Sequence, residues 1–253
     1  MLEIKDLNVV YGSVPVLQNI TFSLRPGELT ALVGRNGSGK STLLSCVNQR
    51  LKYTGTIELD GKELSLLPPR ERAKRIAIAP QSLPWPHITA REVAAFGRNP
   101  YLDFTGRLTR EDREKVEAAL ERCGVLRLGE RYADTLSGGE KQRLALAMIL
   151  AQEAEIMLLD EPTAHMDQAS GTGFLKLLKQ QQATLGRTCL VILHDLSQAV
   201  RYADNLMVLD GGKLVFSGTR QQCLQEGILE KTFHLRRFTV TDGEEARIFF
   251  SAD

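Results

Sequence analysis

Three short runs are apolar at nearly every position: Leu29-Thr30-Ala31-Leu32-Val33, Ile156-Met157-Leu158-Leu159 and Leu190-Val191-Ile192-Leu193. Runs of this length without alternation predict strands covered on both faces, as in a parallel sheet. The first 25 residues alternate instead, and are broken by turn signals at Tyr11-Gly12 and Pro26-Gly27. With Asp60-Gly61 set between Thr56-Ile57-Glu58-Leu59 and Lys62, they predict an antiparallel layer with a tight hairpin. A second hairpin is predicted around Asp210-Gly211-Gly212, followed by a short tail. Between the first two apolar runs the pattern turns helical. Thr109 with Asp112 opens one helix as a capping box, Val116, Ala119, Leu120 and Cys123 give it an apolar face, and Gly124 stops it. Ser137 with Glu140 opens another, running through Leu144, Ala147, Met148 and Ala151. No repeat or linker interrupts the chain, so a single domain over 1–253 is expected, with a helical part inserted at about 86–153.

Composition adds exclusions. With 253 residues, 43% hydrophobic and 25% charged, the chain can build a full core, and disorder or fibre is excluded. Thirty-two Lys and Arg against 31 Asp and Glu leave a net charge of +1, so no chain-wide grip on nucleic acid is expected. Cys46, Cys123, Cys189 and Cys223 are far apart and form no CxxC pair, which predicts reduced core thiols. No apolar run approaches the ~20 residues that cross a bilayer, and Met1-Leu2-Glu3-Ile4-Lys5-Asp6 is no leader. The expectation is a soluble intracellular chain that reaches a membrane only through a partner.

The chemistry starts at Gly34-Arg35-Asn36-Gly37-Ser38-Gly39-Lys40-Ser41, which follows an apolar run and leads into Thr42-Leu43-Leu44. This fits the phosphate-binding loop pattern G-x-x-x-x-G-K-[ST]. Backbone N–H groups and a helix start would cradle a polyphosphate, Lys40 would reach its β- and γ-phosphates, and the Ser41 hydroxyl would sit on Mg²⁺. The second apolar run ends in Asp160-Glu161-Pro162. An acid at the tip of a buried strand suits Mg²⁺, which points to Asp160, and Glu161 one residue on suits a general base for an attacking water. Two acids after a strand are by themselves an ordinary solvated loop; the phosphate loop gives them meaning.

Leu136-Ser137-Gly138-Gly139-Glu140-Lys141-Gln142-Arg143 is, on its own, a helix start with two glycines. Placed downstream of the phosphate loop and upstream of Leu158-Leu159-Asp160-Glu161-Pro162, it makes the chain resemble the nucleotide-binding subunit of ATP-binding cassette (ABC) transporters over essentially its whole length. The resemblance implies a P-loop NTPase core of α/β class, with a mostly parallel sheet, an N-terminal antiparallel β part and an inserted helical part. It implies two cassettes paired head to tail around two ATP molecules, with Ser137, Gly138, Gly139 and Glu140 of one facing the nucleotide of the other. Tyr11 stands where the family stacks an aromatic on adenine. Gln81, after Ile76-Ala77-Ile78-Ala79, stands at the family's Q-loop beside Mg²⁺. His194 matches the histidine that contacts the γ-phosphate, and Asp167 ends the loop that crosses the dimer interface. Taken without the resemblance, Tyr11 and His194 would be packing and hydrogen-bonded strand-end residues, and Gln81 would carry no signal. Two positions depart from the family. Met166 in Ala164-His165-Met166-Asp167 replaces a usual Leu, a change that keeps volume, and Arg35 replaces a common Pro.

The branch is read from softer signals. Val93-Ala94-Ala95-Phe96-Gly97-Arg98-Asn99-Pro100-Tyr101 is similar to the GR-x-P stretch of cassettes serving iron-siderophore, haem and vitamin B12 importers. His194-Asp195-Leu196-Ser197-Gln198-Ala199 and the tail, with Phe233 and Val240-Thr241-Asp242-Gly243 ending at Asp253, point the same way. Importers of amino acids or metal ions, a non-transport ABC ATPase and a nucleotide switch without turnover are the alternatives. The implied partners are a second copy, an integral membrane permease and, through it, an extracytoplasmic binding protein, with the chain on the cytoplasmic face of the membrane. Trp85, in Leu83-Pro84-Trp85-Pro86-His87, is either a permease contact or a filler of an internal gap.

Overall fold

The Asp60-Gly61 turn predicted from sequence closes a hairpin with both residues in left-handed backbone (φ 51° and 75°), which a two-residue turn between twisted strands requires. A computed structural model describes residues 1–81, 83–164, 166–242 and 245–252, with the side chains of residues 242, 245 and 246 left aside. His165, Gly243 and Asp253, used in the sequence reading, lie outside the described residues. The chain forms two compact units, Met1–Leu66 with Thr188–Asp253, and Leu67–Arg187.

In the first unit, β1 (Leu2–Tyr11) and β2 (Val14–Ser23) form a hairpin; β3 (Leu29–Gly34) leads to α1 (Lys40–Val47), then β4 (Thr54–Leu59) and β5 (Lys62–Glu63). An antiparallel sheet runs β2-β1-β4-β5. Ile4, Leu7 and Val9 of β1 are buried among Leu17, Ile20 and Ile57, the apolar half of the alternation seen in the sequence.

The second unit carries α2 (Pro69–Arg75), β6 (Ile76–Ala79), α3 (Ala90–Ala95), α4 (Arg110–Arg122), α5 (Gly138–Ala151), β7 (Ile156–Leu159) and α6 (Gln168–Leu185). Strands β6 and β7 are parallel. Capping boxes start α3 at Thr89/Glu92, α4 at Thr109/Asp112 and α5 at Ser137/Glu140. Each side chain satisfies a backbone N–H that the first turn leaves without a partner.

The chain returns to the first unit with β8 (Thr188–Ile192), α7 (Leu196–Tyr202), β9 (Asn205–Asp210), β10 (Lys213–Thr219), α8 (Arg220–Gln225), α9 (Ile228–Phe233), β11 (Arg236–Asp242) and β12 (Glu245–Ser251). Here β3 lies between β8 and β9, parallel to both, and β10 turns back on β9. Every residue of β3 and β8 is buried, as an unalternating apolar run demands. What reads as a short tail is two short helices and a hairpin. All four cysteines are buried and none is in a disulfide, and burial raises the thiols of Cys46 to about 11 and of Cys123 and Cys223 to about 12. Among the described residues no helix is long and apolar enough to cross a membrane.

Candidate active site

In the first unit the Gly34–Ser41 loop connects buried β3 to α1, which begins at Lys40, two residues before the Thr42 start read from sequence. Gly39 is the N-cap, in left-handed backbone at φ 103°. A Cβ there would lie 2.6 Å from Cδ2 of Leu17, so both conformation and space demand glycine. No side chain caps this helix, which leaves its first amides pointing into the loop with the positive end of the helix dipole behind them. The Lys40 ammonium is nearly enclosed and donates to the carbonyls of Gly34 at 2.9 Å and Arg35 at 3.1 Å. The Ser38 N–H closes the loop on Arg35 O at 3.1 Å, while its buried hydroxyl has no hydrogen-bond partner. A buried cation, an uncapped helix start and an orphaned buried hydroxyl together fit a phosphate group. Arg35, Asn36, Gly37 and Ser41 are exposed, and Thr42 is half-buried.

The same unit brings His194 to the loop's end of the strands. Leu32 of β3 pairs with Ile192 of parallel β8, so Gly34, the last residue of β3, and His194, two residues past β8, lie at the carboxyl ends of neighbouring strands. That edge is where ligands bind in open α/β sheets. His194 is exposed, and Asp195 next to it caps α7 by accepting from the N–H groups of Ser197 at 2.8 Å and Gln198 at 3.1 Å. Tyr11 ends β1 opposite Val14, half exposed at the hairpin tip.

In the second unit, parallel pairing of Ala79 with Leu159 puts Gln81 and the Asp160-Glu161 pair at one edge. The Asp160 N–H donates to Ala79 O at 2.9 Å, and the Gln81 side-chain amide donates to Glu161 Oε2 at 2.7 Å. That contact spans 80 residues and no sequence pattern announces it. Glu161 has φ 48°, rare for a residue with a Cβ.

Ser137 caps α5, whose first residues are Gly138 and Gly139. Glu140 accepts from the Ser137 N–H at 2.9 Å and hydroxyl at 2.8 Å, and these bonds hold its carboxyl below the usual carboxylate range. Asp167 caps α6 and accepts from the Ser170 hydroxyl at 2.6 Å and N–H at 2.9 Å, which likewise lowers its pKa. The Met166 methyl would lie 3.8 Å from a Cβ on Gly139, so the Leu-to-Met departure packs beside the α5 start. Trp85 is half-buried. His87, given no role from sequence, stacks on Tyr132 at 3.9 Å and lies 3.0 Å from Asp134.

The chain is similar to known proteins in sequence and in fold. The family model described as "ABC transporter" matches residues 17–164. The chain is 38% identical over 240 residues to the ferric enterobactin transport ATP-binding protein FepC of Escherichia coli, covering 94% of this chain and 89% of that one. It is also 38% identical to the hemin import ATP-binding protein HmuV of Shewanella denitrificans, covering 92% and 93% respectively. A solved structure described as an inward-facing conformation of a putative metal-chelate type ABC transporter superposes with a TM-score of 0.86 at 25% identity, covering 99% of this chain and 96% of that one. With the fold of a P-loop NTPase cassette and relatives of this identity and coverage, the chain belongs to the ABC transporter ATP-binding family, whose members are ATPases.

Proposed function

We propose that this chain is the ATP-hydrolysing subunit of an importer for an iron chelate or haem. The observation that carries the ATPase reading is the Gly34–Ser41 cradle, with the buried Lys40 ammonium on the loop carbonyls and the orphaned Ser38 hydroxyl. The substrate class is supported by relatives named for enterobactin, petrobactin and hemin uptake. The GR-x-P stretch of the sequence agrees with that branch.

Gly34 to Thr42 would bind the phosphates of ATP, and Tyr11 would stack on its adenine. Mg²⁺ would be held by Ser41, Gln81 and Asp160. These are hard oxygen donors with a single carboxylate among them, the kind of set that leaves Mg²⁺ coordination to be completed by phosphate and water. Bound there, the ion would neutralise developing phosphate charge. Glu161 would take a proton from the attacking water, and the Gln81 amide on its Oε2 holds the carboxylate in one orientation. His194 would contact the γ-phosphate. Ser137, Gly138, Gly139 and Glu140 of a second copy would complete the site, with Asp167 at the interface between the copies. One cassette with its helical part at about 86–153 is then half of a two-site machine, peripheral at the cytoplasmic face of the membrane and attached to a permease fed by an extracytoplasmic binding protein. Nucleic acid has no part in this reading.

The reading is tested by co-purifying the chain with its permease in lipid and measuring ATPase with candidate loaded binding proteins. Stimulation by one siderophore- or haem-loaded binder supports it; stimulation only by a cobalamin, amino-acid or metal-ion binder replaces the substrate class. Glu161→Gln is expected to keep ATP binding and cut turnover by about 100-fold or more. Near-normal steady-state hydrolysis by that variant removes Glu161 as the base.

A further inference from the structure

The segment Gly97-Arg98-Asn99-Pro100, a branch marker in the sequence, folds as a 3₁₀ stretch over Phe96–Tyr101 laid against the carboxyl end of α5. Buried Arg98 anchors it: Nη1 donates to Ala151 O at 2.7 Å and Glu153 Oε2 at 3.0 Å, and Nε to Asp112 Oδ1 at 2.9 Å. Asp112 also accepts from the N–H and hydroxyl of Thr109 at the start of α4. Between these two fixed points the chain turns in a short loop, residues 102–108. The loop is held from inside. The Thr105 hydroxyl and N–H donate to Asp103 Oδ1 at 2.6 and 2.8 Å, which keeps the Asp103 carboxyl below the usual carboxylate range. The Gly106 N–H donates to Asp103 O at 3.2 Å, with Gly106 in left-handed backbone at φ 67°. Arginines brace both ends: Arg70 Nη2 donates to Leu102 O at 2.8 Å and Arg113 Nη2 to Leu108 O at 2.9 Å. At the tip of this braced turn Phe104 is 98% exposed, the most open of the large apolar side chains among the described residues. An ordered turn presents such a ring with little further loss of entropy.

The charge around Phe104 is one-sided. Arg70, Arg107 and Arg113 form no ion pair among the described residues, and each guanidinium keeps donors to spare. The neighbouring acids are occupied: Glu111 pairs with Lys115, Glu114 with Arg110 and Asp112 with Arg98. Only Asp103 stands against the three arginines. A second copy is a poor match for this surface. Tyr101, just before the loop, donates to Gln152 O at 3.0 Å at the carboxyl end of α5, whereas the turn read above as meeting a second copy opens that helix. α5 has 14 residues, so about 21 Å of helix lies between the two. An apolar tip ringed by cations matches instead the edge of a bilayer, where phosphate headgroups lie over acyl chains.

We propose that the 102–108 loop is a lipid contact: Phe104 enters the headgroup–acyl boundary of an anionic membrane, and Arg70, Arg107 and Arg113 bind its phosphates. Which membrane it meets rests on the reading of the chain as a peripheral importer subunit, but the contact itself needs neither nucleotide nor permease. It gives the chain a hold on the membrane surface before a permease is met.

The test floats the full chain, without nucleotide, on vesicles of phosphatidylcholine alone or mixed equally with phosphatidylglycerol, and measures ATP-analogue binding on the same preparations. Expected is binding to the mixed vesicles only, weakening as salt rises. Phe104→Ser is expected to lower the partition coefficient about tenfold and Arg107→Gln about fivefold. Both side chains are exposed, so melting temperatures stay parental. Phe238→Ser, at a half-exposed position in the β11–β12 hairpin of the first unit, is the control and keeps parental binding. Absence of parental binding to the mixed vesicles overturns the proposal, and so does an equal loss in Phe238→Ser. If Phe104→Ser binds vesicles normally but co-purifies poorly with the permease in detergent, the loop is a protein contact and the lipid proposal falls. A change in sedimentation of the isolated chain on Phe104→Ser overturns it in favour of a second copy. Failure of the parent to bind the ATP analogue is a separate result: it counts against the ATPase reading and leaves the lipid contact standing.

Discussion

Two helix starts in this molecule are proposed to meet phosphate, and they are built in opposite ways. α1 opens on a left-handed glycine with no side-chain cap, so its first amides have no partner from the helix itself. α5 opens on Ser137 with a reciprocal bond to Glu140, so part of its orphan set is already satisfied. The reciprocal box uses the N–H groups of Ser137 and Glu140 and leaves those of Gly138 and Gly139 outside it. An open start needs an anion supplied by something else, and a nucleotide held in its own loop can be that. A self-capped start is stable without any ligand and can present two glycine amides to a visitor that arrives only when another copy does.

The strongest way to break the contrast is at the open end. Lys40→Ala removes the only charge that the α1 start sets among the loop carbonyls, and ATPase is expected to fall by about 100-fold or more with α5 untouched. Gly39→Ala forces a Cβ onto Leu17 and strains the backbone, so nucleotide affinity is expected to drop by about tenfold, read by titration with an ATP analogue. Ser137→Ala should act the other way round: stability falls by about 1 kcal/mol, a melting shift of roughly 2–4 °C, while monomer ATP affinity holds. An equal loss of affinity there would erase the distinction.

The smallest effect is acid sensitivity. Glu140 is held below the ordinary carboxylate range by the Ser137 N–H and hydroxyl, so its contribution is present above that range and lost as pH falls through the lowered folded-state value. The α1 start has no acidic residue in its first turn and no such dependence. Amide protection at Ser137–Lys141 should therefore decline between neutral and acidic pH before that at Lys40–Leu43, measured by hydrogen exchange corrected for intrinsic rates.

The sequence makes both starts legible because caps and glycines act over three or four residues. Thr109 with Asp112, Ser137 with Glu140 and Asp60-Gly61 all appear where local chemistry puts them. Elements with no such signature stay hidden. α2 buries no residue and so prints no apolar stripe, and α9 is six residues long, too short for a period to show; α8, equally short, does open on a Thr219/Gln222 capping box that the sequence reading passed over. The site's long-range contacts are equally silent. Gln81 meets Glu161 across 80 residues and Arg98 meets Ala151 across 53, so neither bond could be read from spacing. Arg98 shows the limit well: its motif marks a branch in the sequence, but its work depends on three partners the fold brings to it.

The left-handed backbone of Glu161 sets a conflict between durability and work. At φ 48° a glycine would sit more comfortably than glutamate, by about 1 kcal/mol. Glu161→Gly would relieve that backbone strain but lose the Gln81 bond and the proposed base. Stability screens on this cassette therefore need an activity readout at that residue, because there the two selections pull in opposite directions.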